Sequence, residues 1–249
     1  MDQNDRYRAP ALDKGLDILE LLSEQPGGLT RAEIVKAMGR GPSEVYRMLE
    51  RLVARDYVAR SQEGDRYALT MKLFILAHRH PPLRRLVARA QPLMEVFARA
   101  AGQSCHLVAQ DRDAATVIAQ AGCPGNWEFS VRVGARIDLL GTGSGQLLLA
   151  FQDDAARAET LARWQGTENL ATLAGLEPAL AACRQAGHRI GDSQQLLGVK
   201  DISVPVLSPG GDAVAVLTCP YVQRLDDAGP DIQATLALLR DATTVLSIS

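Results

Sequence analysis

Residues 30–53 constrain the fold more than any other stretch, because they pair a capped helix with a proline-started one across a glycine. Thr30 stands three residues ahead of Glu33, the spacing of a capping box. Ile34, Val35 and Met38 then recur at helical spacing, and Gly39 suits the left-handed residue that stops such a helix. Pro42 fits the first turn of a second helix, where no amide donor is needed. Val45, Leu49, Leu52 and Val53 form its inner face, which leaves Ser43, Glu44, Tyr46, Arg47, Glu50 and Arg51 pointing outward. A helix-turn-helix needs this division: one face packed on its partner, the other offering hydrogen-bonding side chains to a major groove.

The next segment makes the motif a winged helix. Residues 57–60 and 66–70 are strand candidates, and Ser61 to Asp65 between them is rich in turn formers and contains Gly64. Such a wing lays Arg60 or Arg66 along a phosphate backbone. Upstream, Leu12, Leu16 and Leu19 form a stripe expected to close a three-helix core. The bland alternative is a helical hairpin with solvated outer residues. The order of helix, capped helix, proline-started helix and glycine-tipped hairpin argues against it.

Bulk charge does not advertise nucleic acid. The formal net charge is −2, and residues 1–80 hold 13 Lys+Arg against 12 Asp+Glu. The basic signal is local: Arg79, Arg84, Arg85, Arg89 and Arg99 are accompanied only by Glu95. Cys105, Cys123, Cys183 and Cys219 are far apart, and the four histidines match no metal pattern, so neither a zinc finger nor a disulfide scaffold is expected. With no signal peptide and no membrane-length apolar run, a cytoplasmic protein is expected.

Pro81-Pro82 marks the expected boundary between a first domain, residues 1–80, and a second, residues 81–249. A connecting helix is expected up to His80 and another from Leu83 to about Ala101. Strands are expected over residues 104–110, 115–121 and 127–133, with a hairpin of residues 202–206 and 213–217. Helices are expected over residues 146–151, 153–164 and 176–186, followed by a last amphipathic helix carrying Ile232, Leu236, Leu239 and Val245. Antiparallel strands with helices packed on them, without a βαβ repeat, mean an α+β domain.

Several segments, in order from about Ala9 to Val245, resemble the IclR family of bacterial transcriptional regulators. Residues 11–19 resemble its opening helix, and Ser43-Glu44-Val45-Tyr46-Arg47-Met48-Leu49 its S-T-V-Y-R-L-L recognition motif. Gly134 to Phe151 is similar to G-x-x-x-P-L-H-A-T-A-x-G-K-A-L-L-A-F, and residues 198–206 to G-V-x-C-I-A-A-P-V. The resemblance implies an N-terminal winged helix-turn-helix joined by a helix to a C-terminal GAF-like domain that binds a small effector. It implies a homodimer or homotetramer on double-stranded operator DNA; no cofactor, metal or membrane partner is expected. Thr30, Arg31, Ser43, Glu44, Tyr46, Arg47, Arg51 and Arg66 are the expected DNA-facing residues.

The departures shape the expected ligand. Leu140 stands where the signature has histidine, Gln146 where it has lysine, Asp138 where it has proline, and Asp201 where it has cysteine. A pocket without those ionisable donors, and with an added carboxylate, suits a small neutral or cationic effector, cyclic or aromatic, with a hydroxyl or amine for Asp201. The loop of Gly141, Thr142, Gly143, Ser144 and Gly145 invites a nucleotide-binding reading. Gln146 occupies the last glycine position of G-x-G-x-x-G, however, and no Walker G-K-[ST] follows. The loop is read instead as a ligand contact entering a helix, with Thr142 and Ser144 hydroxyls as donors; a structural glycine turn is the alternative. By two-residue alternation Asp201 and Ser203 share one strand face, as do Val216 and Thr218 on the next strand. Leu140, Trp127 and Phe129 complete the expected effector set.

A small-molecule-binding enzyme with an accessory winged helix is the competing class. No G-x-S-x-G elbow or H-E-x-x-H helix is present, so no catalytic residue is assigned. A purely architectural DNA-binding protein would not require a second domain with a glycine-lined cleft.

Overall fold

The computed structural model describes residues 9–61, 65–79, 81–112, 114–125, 128–224 and 229–247, which fall into two compact units, Met1–Arg84 and Arg85–Ser249.

The first unit opens with α1 (Pro10–Ser23), followed by β1 (Leu29–Thr30), α2 (Arg31–Met38) and α3 (Pro42–Ala54). Thr30 caps α2 through a complete capping box: its amide donates to Glu33 Oε2 at 2.8 Å, and the Glu33 amide donates to Thr30 Oγ1 at 3.3 Å. Gly39 ends α2 in the left-handed region at φ 59°, and Pro42 opens α3. The core gathers Ile18, Leu22, Ile34, Val45, Leu49, Val58 and Tyr67. The Leu12-Leu16-Leu19 stripe does not close it. Ile18 and Leu22, one turn apart, supply the buried face of α1, Leu19 packs at its edge, and Leu12 and Leu16 stay exposed.

β2 (Val58–Arg60) and β3 (Arg66–Leu69) form the wing hairpin, with Arg60 opposite Tyr67. The expected turn residues Gln62, Glu63 and Gly64 lie outside the described residues. A strand not expected from sequence, β1, adds to the outer edge of β3, pairing Leu29 with Tyr67. Gly28 permits that approach: at φ 64°, a Cβ there would meet the Tyr67 carbonyl oxygen at 2.5 Å. α4 (Lys72–His78) closes the unit.

α5 (Pro81–Ala101) starts at the proline pair instead of after it, since the first helical turn needs no amide donors. The second unit contains β4 (Cys105–Asp111), β5 (Ala114–Ala121), β6 (Arg136–Ile137), α6 (Gly143–Ala150), α7 (Asp154–Arg163) and α8 (Glu168–Ala186). It continues through β7 (Arg189–Asp192), β8 (Val199–Leu207), β9 (Ala213–Val222) and α9 (Ile232–Ser247). The six strands form one antiparallel sheet in the order β6-β5-β4-β9-β8-β7.

Strand alternation divides this unit into layers. Leu107, Ile202, Val204 and Leu217 face α5 and α9, packing with Met94, Phe97, Leu236 and Leu239. Val108, Val117 and Val216 face the other way, toward Leu147 and Leu148 of α6 and Leu173 and Leu180 of α8. The α+β architecture is thus a sheet between two helical layers. The third expected strand is absent: residues 128–133 are irregular, and Trp127 lies outside the described residues. The Val117 amide and carbonyl are taken by Ala135 and Gly134, so pairing on β5 begins later and passes to β6.

Candidate functional site

The outer surface of α3 carries the first candidate site. Val45 and Leu49 anchor the helix inward, so Ser43, Tyr46, Arg47, Glu50 and Arg51 face solvent. Arg31, the first residue of α2, places its guanidinium 5.5 Å from the Tyr46 ring centroid, linking the two helices across their exposed faces. Glu44 is drawn 3.0 Å from Lys14 of α1, whose hydrogen bond and charge hold its carboxyl below the ordinary range. Arg40 pairs with Asp17 at 3.3 Å. Among the described residues no ion pair engages Arg47 or Arg51.

Two residues expected to face DNA also have structural engagements. Thr30 is spent on the α2 cap. Arg66 donates from Nη1 to the Gly28 carbonyl at 2.9 Å and lies 3.8 Å from Glu33, tying the wing to the head of α2. Arg60 pairs with Asp65 across the hairpin.

The second candidate site is a narrow cleft in the sheet-and-helix unit, beside the glycine loop. Asp138 organises that loop, because its carboxylate accepts from the amides of Leu140 at 3.1 Å and Gly141 at 3.2 Å. Thr142 donates to the Asp138 carbonyl at 2.6 Å and accepts from the Gly145 amide, capping α6. Gln146, buried, donates to the Leu140 carbonyl at 2.8 Å. Asp138 and Gln146 therefore hold the loop in place.

The polar side of the cleft is formed by His106, Thr142, Ser144, Ser193, Gln194, Gln195, Asp201 and Thr218, and the apolar side by Phe129, Val131, Ile137, Leu196 and Pro220. Ser144 Oγ, Thr218 Oγ1 and Ser203 Oγ form a buried chain of hydroxyls, with separations of 2.9 and 2.8 Å. His106 lies beside Thr218 in strand register. Burial pushes its pKa down to about 4, so the ring is neutral at physiological pH, and its buried Nδ1 has no partner among the described residues. Leaving such a group unpaired costs about 1–3 kcal/mol, which an added partner would recover.

Burial raises the pKa of half-buried Asp201, opposed by a hydrogen bond from Ser193 and the charge of Arg189. Arg189 was not anticipated from sequence. Its guanidinium passes between two glycines: a Cβ on either Gly143 or Gly191 would lie 2.9 Å from Nη1. That buried Nη1 has no partner among the described residues.

Of the expected effector residues, Phe129, Thr142, Asp201 and Thr218 meet at the cleft. Others stand behind it. Leu140 and Val216 are core residues under α6, and the Gly141 amide is committed to Asp138. Gly143 packs against Arg189, and fully buried Ser203 holds Thr218. Trp127 lies outside the described residues. Sequence reasoning passed over His106 because it searched histidines for metal spacing; alternation with Cys105 and Leu107 was the available signal.

Burial pushes the Cys105 thiol up to about 12 and Cys219 well above its ordinary value, which suits small core residues. Among the described residues no group of three or more His, Cys, Asp or Glu could hold a metal ion, and no helix is long and apolar enough to cross a membrane.

Residues 83–248 match the family profile described as bacterial transcriptional regulator IclR C-terminal, and residues 11–62 match the IclR helix-turn-helix domain. The HTH-type transcriptional regulator KdgR of Escherichia coli K12 is 29% identical over 242 residues, spanning 94% of this chain and 90% of its own. XynR of the same organism is 27% identical over 224 residues, spanning 88% of each. An IclR homologue from Microbacterium hydrocarbonoxydans, complexed with 4-hydroxybenzoate, shares the fold with a TM-score of 0.76 at 23% identity, covering 95% of this chain and 97% of that one. Both relatives are named as HTH-type transcriptional regulators. With both parts of the chain matched in order, this protein belongs to the IclR family of bacterial transcriptional regulators.

Proposed function

We propose that the chain is an effector-responsive regulator that reads double-stranded operator DNA with α3 and a small molecule with the cleft. Residues 1–80 are the winged helix and its linker helix, and residues 81–249 the GAF-like effector domain. The observation that carries this reading is the outer row of α3, where Arg47 and Arg51 stand exposed and outside any ion pair of the described residues. Ser43, Tyr46 and Arg47 contact bases or phosphates, Arg31 and Arg51 add positive charge, and Glu44 sets the helix against Lys14. Thr30 and Arg66 act by fixing α2 and the wing.

One winged helix covers about 600–1,000 Å² of surface, too little for tight specific binding, so a homodimer or homotetramer presents paired heads. Its DNA partner places the protein in the cytoplasm. The effector is small, neutral or cationic, and cyclic or aromatic. It gives a hydroxyl or amine to Asp201 and packs on Phe129, with Thr142 and Thr218 beside it and Leu140, Gly141, Gly143, Ser203 and Val216 shaping the wall from behind. Arg189 acts on Asp201 electrostatically, opposing the effect of burial on its carboxyl.

Mobility-shift titration on the promoter region beside the protein's own coding sequence tests the reading. The expected result is a discrete complex whose affinity changes with a metabolite identified by calorimetry. Asp201→Asn should weaken that response and leave DNA affinity of the ligand-free protein unchanged. A ligand response that survives the substitution intact removes Asp201 from the site.

A further inference from the structure

Resting on the reading of α3 as the operator-binding helix, we infer that Glu44 makes each operator half-site depend on one cytosine, whose N4 amino group donates to the Glu44 carboxylate in the major groove. The side chain is placed for a base edge. A recognition helix meets base edges with its N-terminal residues, and Glu44 is the third residue of α3. It runs back toward the start of the helix: a Cβ on Gly41, the N-cap, would lie 4.0 Å from Glu44 Cγ. An open groove between the start of α1 and α3 passes beside it, lined by Pro10, Ala11, Lys14, Glu44, Arg47 and Met48.

The chemistry selects the base. Lys14 Nζ lies 3.0 Å from Glu44 Oε1, which leaves Oε2 to accept from an incoming donor. Phosphates would repel a bare carboxylate. Here the hydrogen bond and charge of Lys14, followed by the charges of Arg40 and Arg47, favour the ionised acid. Counting Asp17, which pairs with Arg40, these five groups keep one net positive charge, so DNA can approach. In the major groove cytosine shows a donor alone. Adenine sets its N7 acceptor beside its N6 donor, and guanine and thymine show acceptors. An anionic acceptor is therefore matched by cytosine and opposed by the other three. The guanine paired with that cytosine offers O6 and N7 to a cation, and Arg47 carries one a single helical turn away. Threonine, which the family motif has at this place, both donates and accepts and makes no such choice.

Selection from duplexes with randomised half-sites, using the full chain, compares wild type with Glu44→Thr and Lys14→Gln. Wild type should prefer cytosine by about fivefold or more at one position of the half-site. Glu44→Thr should still bind, level that position to within about twofold and leave the others unchanged. Lys14→Gln should weaken binding to all duplexes alike and keep the cytosine; if it relaxes the same position, Glu44 acts only by orienting α3 through its ion pair. Anisotropy then uses the selected duplex with N4-methylcytosine at that position, which still pairs with guanine but presents a methyl group in place of the major-groove N–H. Wild type should lose about fivefold or more, and Glu44→Thr less than about twofold. Thermal melts control for folding, and should Glu44→Thr melt early, the wild-type loss on N4-methylcytosine still decides. A wild-type selection without the cytosine, the same preference in Glu44→Thr, or tolerance of N4-methylcytosine by wild type would overturn the assignment. If wild type selects a sequence that Arg47→Ala loses and Glu44→Thr keeps, α3 reads the operator and Glu44 does not. If wild type selects no sequence at all, the operator reading fails as well.

Discussion

Gly145 lies directly against the backbone of Leu139: a Cβ at residue 145 would clash with the Leu139 Cα and carbonyl oxygen and with the Asp138 carbonyl oxygen. The obstacle is main chain, so no side chain can turn aside to make room. Gly145→Ala should therefore destabilise the second unit by about 1–3 kcal/mol or displace the loop that begins α6. Chemical denaturation followed by tryptophan fluorescence checks this, since Trp127 and Trp164 both belong to that part of the sequence. A variant as stable as wild type, with an unchanged cleft, would contradict it.

His106 should make the second unit acid-sensitive. Its folded pKa, about 4, lies below the ordinary 6.5, so between these values the unfolded chain binds a proton that the folded chain refuses. Stability then falls as pH drops from about 6.5 toward 4, by about 3 kcal/mol in full, and the contribution vanishes above 6.5. Glu33, Glu44 and Asp192, whose pKa values are lowered by their partners, also lose stabilisation on acidification, so the informative quantity is the difference from His106→Gln. Melting curves from pH 7 to 4 should be flatter for the variant; parallel curves would refute a buried neutral histidine.

Assembly is the third expectation. Leu12 and Leu16 are 61% and 46% exposed on α1, and Phe74 and Ile75 are 54% and 45% exposed on α4. Such apolar surface on the unit that carries α3 fits burial in an oligomer. Light scattering should give a multiple of the 26.8 kDa chain mass at micromolar concentration, and Leu12→Glu with Leu16→Glu should lower it. A monomer with and without DNA would count against the paired-head arrangement.

The helix-turn-helix was legible because its signals are local. Thr30, Gly39 and Pro42 act through the backbone of their own turns, and each does so in the structure. Signals that depend on tertiary packing misled. Gly143 and Ser144 read as loop but form the first turn of a wholly buried helix. α8 begins at Glu168, well before the expected residue 176, because packing of Leu173 and Leu180 on the α6 side of the sheet overrides Gly175 and Pro178. The cleft was half legible. Alternation placed Asp201, Ser203 and Thr218 on the correct faces, but Arg189 comes from β7, a strand that four residues interrupted by Gly191 did not announce.

The claim that α3 reads DNA is tested most directly by fluorescence anisotropy on a labelled duplex from the promoter region beside the protein's own coding sequence, comparing wild type with Arg47→Ala. Arg47 is exposed on the outer face of α3 and outside any ion pair of the described residues, so its removal should leave the melting curve unchanged. The account predicts salt-dependent, specific binding by wild type and a loss of about 1–3 kcal/mol, roughly tenfold or more in affinity, in the variant. A folded Arg47→Ala protein that binds this duplex as tightly as wild type would contradict it.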